Sequence, residues 1–366
     1  MKISEEAKIS LMLRFNFSNS EEHRPLTPGE FSKLLSFLQS ANKELTFLNS
    51  HSEFLNKIEN KIGLKLARLS SLLNSGYSLS LNLDKWEKCG IWVLCHLDDE
   101  YPVNLKLKFK QNNAPILFGV GNKQNLNKPS IGIVGPRNSS SSAEEFTKKI
   151  SKRCVENLLT VVSGGAKGID ICAQESALEH GGLVICVLSN DLEKECLKEE
   201  NMKYLLEQRL ILISTELPDA SWSVGRAMGR NKYIHSMADA VIVPECSKAS
   251  GGTWAGVIEN LKKNYSKLYF RPSSNDEVNN TIFAEGGIHI KEIDIEEIKD
   301  IKNNPNYSLL TVKDIASFQG KSIKAVKTFL TKNNMSCKDY PPTKKEKNSS
   351  SDDIQIEKQG DLFRDD

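Results

Sequence analysis

Two aliphatic runs, each broken by a small-residue turn and joined by one amphipathic segment, lie between Ser130 and Asp170. The first is Ile131-Gly132-Ile133-Val134, which stops at Gly135-Pro136-Arg137-Asn138. The second is Leu158-Leu159-Thr160-Val161-Val162, which stops at Ser163-Gly164-Gly165-Ala166-Lys167-Gly168. Between them Phe146, Ile150, Cys154 and Val155 recur at helical spacing on an otherwise polar stretch. Strand, helix and strand within about forty residues predict a βαβ unit, hence a parallel sheet that takes ligands beyond its carboxyl edge. Two glycine-rich turns at that edge, carrying Arg137 and Lys167, describe a phosphate-binding crevice.

The alternation continues downstream. A helix from Asp170 through Leu178 stops at Gly181-Gly182. The runs Leu183–Leu188, Leu210–Ser214, Asp239–Pro244 and Lys267–Phe270 read as strands, with helices predicted over Leu197–Glu207, around Ile234 and Met237, and from Ser250 to Lys263. Upstream, Gly90–Cys95 and Ala114–Gly121 read as two further strands. So many strands separated by helices predict a doubly wound α/β sheet over residues 86–295.

Residues 1–85 read as a helical domain. Thr27, Pro28 and Glu30 have the spacing of a capped helix start, and Phe31, Leu34, Leu35 and Leu38 supply its apolar face. Ile58, Ile62, Leu66, Leu69 and Leu73 form a second periodic stretch that stops near Gly76. Packing against the sheet explains these helices more simply than a separate interaction module. Residues 305–340 hold two short helical patterns either side of Gln319-Gly320, a helix-turn-helix-like unit. Its Lys321, Lys324, Lys327 and Lys332 fit DNA contact and an ordinary solvated face equally well. Residues 341–366 have the composition of a disordered tail.

Composition narrows the function classes. At 366 residues there is room for two or three domains. A net charge of +2 means that any basic surface must be local. Eight cysteines without paired spacing and six histidines without ligand spacing argue for a reducing cytoplasm and against a metal site. No apolar run reaches the ~20 residues of a membrane helix, and the first residues lack the pattern of a signal peptide.

Four turns could hold an anion: Gly135, Arg137 and Asn138; Ser163, Gly164, Gly165, Lys167 and Gly168; Gly229, Arg230, Asn231 and Lys232; and Ser250, Gly251, Gly252 and Thr253. Glycine lets a phosphate approach backbone N–H groups, a following helix adds its positive end, and arginine adds a bidentate fork. Each such turn alone is weak evidence; four in one sheet favour anion binding. Gly-x-Gly-x-x-Gly after the first strand, the P-loop pattern and Gly-x-Ser-x-Gly are all missing, so dinucleotide cofactors, P-loop ATPases and serine hydrolases are disfavoured. Asp170 reads as the cap of its helix rather than as an acid–base catalyst.

These residues resemble the DprA/Smf family of DNA-processing proteins, from about Leu26 to about Ile290. Gly90-Ile91-Trp92-Val93-Leu94, Asp98-Asp99-Glu100-Tyr101-Pro102 and Pro115–Gly119 are similar to the family's lead-in. Gly135-Pro136-Arg137-Asn138 resembles its Gly-Ser-Arg turn, with proline in place of serine, and Ser163–Asp170 is similar to its most specific motif. Ser214-Thr215-Glu216-Leu217-Pro218 and Arg230-Asn231-Lys232-Tyr233-Ile234 follow in the family's order. The resemblance implies an extended Rossmann-like fold, single-stranded DNA as ligand, no required cofactor, loading of a RecA-type recombinase in DNA uptake or recombination, and a homodimer; the chain is accordingly read as a binder and not an enzyme. It also implies that Arg137 and Lys167 contact phosphates, and that the C-terminal unit is winged-helix-like.

Two departures keep rivals open. Ala227-Met228-Gly229 stands where the family has Phe-Pro, and Ser250-Gly251-Gly252-Thr253-Trp254 is nearer to the Gly-Gly-Thr turn of LOG-type nucleotide-binding proteins. A nucleotide-binding protein or nucleoside-monophosphate hydrolase is therefore one alternative, although Glu259 lies too far after Thr253 for the motif of those enzymes. A nucleic-acid or nucleotide sensor in phage defence is another.

Overall fold

The computed structural model describes residues 3–17, 24–49, 52–247 and 249–290. The helix-turn-helix-like unit and the tail expected at 305–340 and 341–366 lie outside them.

Five helices come first: α1 (Glu5–Arg14), α2 (Pro28–Ser40), α3 (Ser52–Ile62), α4 (Leu66–Leu73) and α5 (Gly76–Lys88). The start of α2 is the expected capping box. Thr27 Oγ1 accepts from the Glu30 N–H, and the Glu30 carboxylate accepts from the Thr27 N–H at 2.8 Å. Arg68 of α4 reinforces it with two bonds to the same carboxylate and one each to the Arg24 and Pro25 carbonyls. The stretch 58–73 differs from expectation: it is two helices, broken at Gly63, whose φ of +73° ends α3. The second of these, α4, ends at Leu73, close to Gly76 as expected, and Gly76 itself begins α5.

Nine strands follow: β1 (Trp92–Leu94), β2 (Leu117–Val120), β3 (Ser130–Ile133), β4 (Thr160–Ser163), β5 (Val184–Val187), β6 (Leu210–Ser214), β7 (Ala240–Val243), β8 (Lys267–Phe270) and β9 (Ile288–His289). They form one sheet in the order β1-β2-β6-β5-β4-β3-β7-β8-β9. All neighbours from β6 to β9 are parallel, and β2 is antiparallel to both of its partners. The intervening helices are α6 (Val103–Asn113), α7 (Ser141–Glu156), α8 (Ile169–Glu179), α9 (Leu192–Cys196), α10 (Glu199–Leu206), α11 (Val224–Met237), α12 (Gly251–Lys263) and α13 (Asp276–Ala284).

The strands read as unbroken apolar runs because both faces are covered. Ile131, Ile133, Val161, Val184, Leu210 and Ile242 point into one core, shared with α7, α8 and the N-terminal helices. Val162, Ile185, Val187, Ile211, Val241 and Val243 point into the other, against α6, α11, α12 and α13. Trp86 of α5 packs edge-on against Phe118 of β2 with ring centroids 5.2 Å apart, so the helical region rests directly on the sheet. Leu158, expected to begin the second strand, lies before β4 and not in it, with a φ of 59° and a largely exposed side chain.

From β3 the chain winds outward through β4, β5 and β6, then returns to the other side of β3 as β7, β8 and β9. The strand order therefore reverses between β3 and β7. Crossover connections leave in opposite directions there, which opens a crevice beyond the carboxyl ends.

Candidate nucleic-acid interface

That crevice is present, with a volume of about 550 Å³. One wall is the turn after β3, Gly135 to Asn138; the opposite wall is Glu245 to Ser247 after β7, continuing to Ser250, Gly251, Gly252 and Thr253 at the start of α12. Arg230, Asn231 and His235 of α11, with Asp170 of α8, form the floor. Trp222, Val224 and Met228 line the rim.

Of the expected site residues, Gly135, Arg137, Asn138, Arg230, Asn231, Ser250, Gly251, Gly252 and Thr253 share this crevice. Ser163, Gly164, Gly165, Lys167, Gly168 and Lys232 are not on its wall. Lys167 stands exposed on the turn between β4 and α8. Lys232 lines a smaller cavity of about 180 Å³ beyond β5 and β6, with Arg226, Glu216 and Tyr233. Its ammonium sits 4.9 Å from the Tyr233 ring centroid and 6.0 Å from that of Phe109.

The segment Gly229 to Lys232 is not a turn. It lies inside α11, which begins at Val224 after the Ser223 cap, so it contributes side chains and no free backbone donors. Arg230 is only 6% exposed. Its Nη1 donates to the Val187 carbonyl at 2.9 Å and lies 3.8 Å from Oδ2 of Asp170, itself buried. A Cβ on Gly164 would fall 1.2 Å from that Nη1, so Gly164 makes room for the guanidinium. Gly168 has a φ of +82°, and a Cβ there would strike the Pro136 and Arg137 carbonyls. These two glycines let one turn pack on another and on Arg230; close approach of a phosphate is not what requires them.

Asp170 also departs from its expected role. The residue at the cap of α8 is Gly168, and Asp170 lies in the first helical turn. Burial pushes its carboxyl pKa up, while Arg230 and the backbone N–H groups of Ala166, Gly135 and Gly164 oppose that shift. Its carboxylate thus ties the turns after β3 and β4 to α11. Ser163 does similar work, donating from Oγ to the Ile133 carbonyl at 2.7 Å. Glu245 accepts from both N and Oγ of Ser140, at 2.8 and 3.0 Å, and so links the β7 turn to the start of α7.

What stays open to a ligand is different. Arg137 and Asn138 are exposed at one rim. Opposite them the start of α12 has no side-chain cap, because Ser250 makes no such bond. Its first-turn N–H groups and the helix dipole therefore favour an anion. Arg137 also lies over the Trp222 ring, 5.5 Å from its centroid. Trp222, Glu245 and His235 were not anticipated from the sequence. An aromatic residue in the polar loop Asp219-Ala220-Ser221-Trp222-Ser223 was the one available signal.

A family model described as DNA recombination-mediator protein A matches residues 92–288, more than half of the chain. The chain belongs to that family. DNA processing protein DprA of Streptococcus pneumoniae is 34% identical over 158 residues, 42% of this chain and 54% of the relative. Protein Smf of Synechocystis is 33% identical over 144 residues, 37% of this chain and 36% of the relative. The chain thus spans about half or less of the length of these curated relatives. The X-ray structure of DNA processing protein A from S. pneumoniae has the same fold, with a TM-score of 0.59 at 22% identity, covering 80% of this chain and 96% of that one. Among the described residues no helix is long and apolar enough to cross a membrane.

Proposed function

We propose that this chain binds single-stranded DNA in the crevice between β3 and β7 without cutting it. The observation that carries the reading is the convergence of the turn after β3, the turn after β7 and the uncapped start of α12 on one open crevice. Arg137 and the α12 N–H groups would meet successive phosphates, and Lys167 and Lys232 would extend the track to either side. Arg230 would position the turns from beneath. Glu259 is held by the Tyr265 hydroxyl at 3.1 Å, and the Asp170 carboxylate is taken up by backbone N–H groups and Arg230, which fits a binding role better than hydrolysis. Loading of a RecA-type recombinase onto the bound strand, and assembly as a homodimer, complete the proposal on the strength of the family resemblance.

The test is a salt titration of binding to a single-stranded oligonucleotide. A single strand releases counterions with a slope of about −0.7 per phosphate contact, so Arg137→Ala with Lys167→Ala should flatten the slope by roughly 1.4. Undiminished binding by that double variant would overturn the assignment. The uncapped Gly251-Gly252-Thr253 start of α12 also suits a mononucleotide. Release of adenine from AMP without any DNA binding would favour that second reading.

A further inference from the structure

We propose that Trp222, flanked by Val224 and Met228, is a nucleobase-stacking ledge that makes the crevice selective for single strands. The inference rests on the DNA-binding reading above and assigns a role to a loop which that reading leaves unused. Trp222 is 49% exposed, Val224 61% and Met228 47%, and all three lie on the rim of the same crevice. Val224 and Met228 are four residues apart on α11, so they lie on one face of that helix. Three exposed apolar side chains grouped on one rim are the kind of surface that marks an interaction site. Here the neighbours identify the occupant.

The Arg137 guanidinium sits over the indole, 5.5 Å from its centroid. Cation–π attraction holds the arginine at the rim, while half of the indole remains open. Across the crevice the start of α12 offers uncapped backbone donors. A cation and N–H donors for phosphate, beside a flat apolar surface, match a nucleotide with its base unpaired. A peptide would use the apolar ledge but leave the anion donors empty. Duplex DNA would use the donors, but its base faces are stacked inside the helix and cannot reach Trp222. Stacking tolerates any base, so the ledge should bind without strong sequence preference.

The decisive experiment compares Trp222→Ala, Trp222→Phe and the unaltered chain on three probes by fluorescence anisotropy. The probes are a short oligothymidylate, the same backbone with abasic sugars, and a duplex. Trp222→Ala should weaken oligothymidylate binding roughly 5- to 100-fold, and Trp222→Phe should retain most of it. Both variants should weaken binding of the abasic strand and the duplex much less than binding of oligothymidylate, since these probes lose only the support that the indole gives Arg137. Oligothymidylate should also quench tryptophan emission of the unaltered chain, and that quench should shrink in Trp222→Phe. Equal loss on the normal and abasic strands would overturn the ledge, since the residue would then act through Arg137 alone. Unchanged oligothymidylate binding by Trp222→Ala would overturn it as well while leaving the DNA-binding reading intact. If the unaltered chain binds none of the probes, both readings fall.

Discussion

Replacing Arg230 with methionine keeps most of the side-chain volume and removes one buried charge. Its partner, Asp170, is 5% exposed, and the closest approach of the two is 3.8 Å. At an effective dielectric near 20 that separation corresponds to about 4 kcal/mol of attraction. Losing the bond to the Val187 carbonyl removes about 1 kcal/mol more. Measured costs of breaking a buried pair from one side, about 3–5 kcal/mol, bracket the same range. Urea unfolding at neutral pH should therefore show Arg230→Met destabilised by roughly 3–5 kcal/mol, and Asp170→Asn by a similar amount. The double variant should be less destabilised than the sum of the two, because it leaves no orphaned charge. Where Arg230→Met remains folded, its DNA-binding salt slope should match that of the unaltered chain, whereas Arg137→Ala should lose about 0.7. A stability loss under about 1 kcal/mol, or a slope change equal to that of Arg137→Ala, would refute a buried, positioning Arg230.

Thr27→Ala should cost about 1 kcal/mol in urea unfolding by removing the capping box of α2. The Arg68 hydrogen bonds hold the Glu30 pKa down to about 2, so its contribution is full above the ordinary carboxylate range and lost as pH falls toward 2. Because Glu30 is partly solvated that contribution is small, and Glu30→Gln should only slightly flatten the acid limb of a melting-temperature profile. His96 and His235 should dominate the milder acid range. Burial pushes both down to about 4, so the unfolded chain takes up their protons first and stability falls as pH drops from about 6.5 toward 4. A profile for His235→Gln as steep as that of the unaltered chain over this interval would contradict the burial argument.

The sheet was legible because its strands are buried on both faces and its turns carry glycine. Ile131 to Val134 and Leu210 to Ser214 stand out in any apolar reading, and Thr27 to Glu30 announces α2. The errors arose where local signals had tertiary causes. Gly229 looked like a turn, yet α11 runs through it because Ser223 caps the helix upstream. Gly164 suggested room for a phosphate, but the space is filled by Arg230, from a helix more than sixty residues later. Leu158 extended an aliphatic run and instead occupies a left-handed turn. Helix α13 and the two-residue β9 escaped notice because α13 is short and buries only Val278, Asn279 and Ile282, and Ile288-His289 is too short to register. Trp222 and Glu245 depend on which loops meet above the sheet, something spacing along the chain does not encode.

The central claim is positional: a single strand lies across the carboxyl edge between β3 and β7. Photo-crosslinking of an oligonucleotide carrying 5-iodouracil, followed by peptide mapping, tests it most directly. The adducts should fall on residues 135–138, 222–228 and 250–253, with Trp222 prominent. Adducts confined to α1–α5, or spread evenly over the surface, would contradict it.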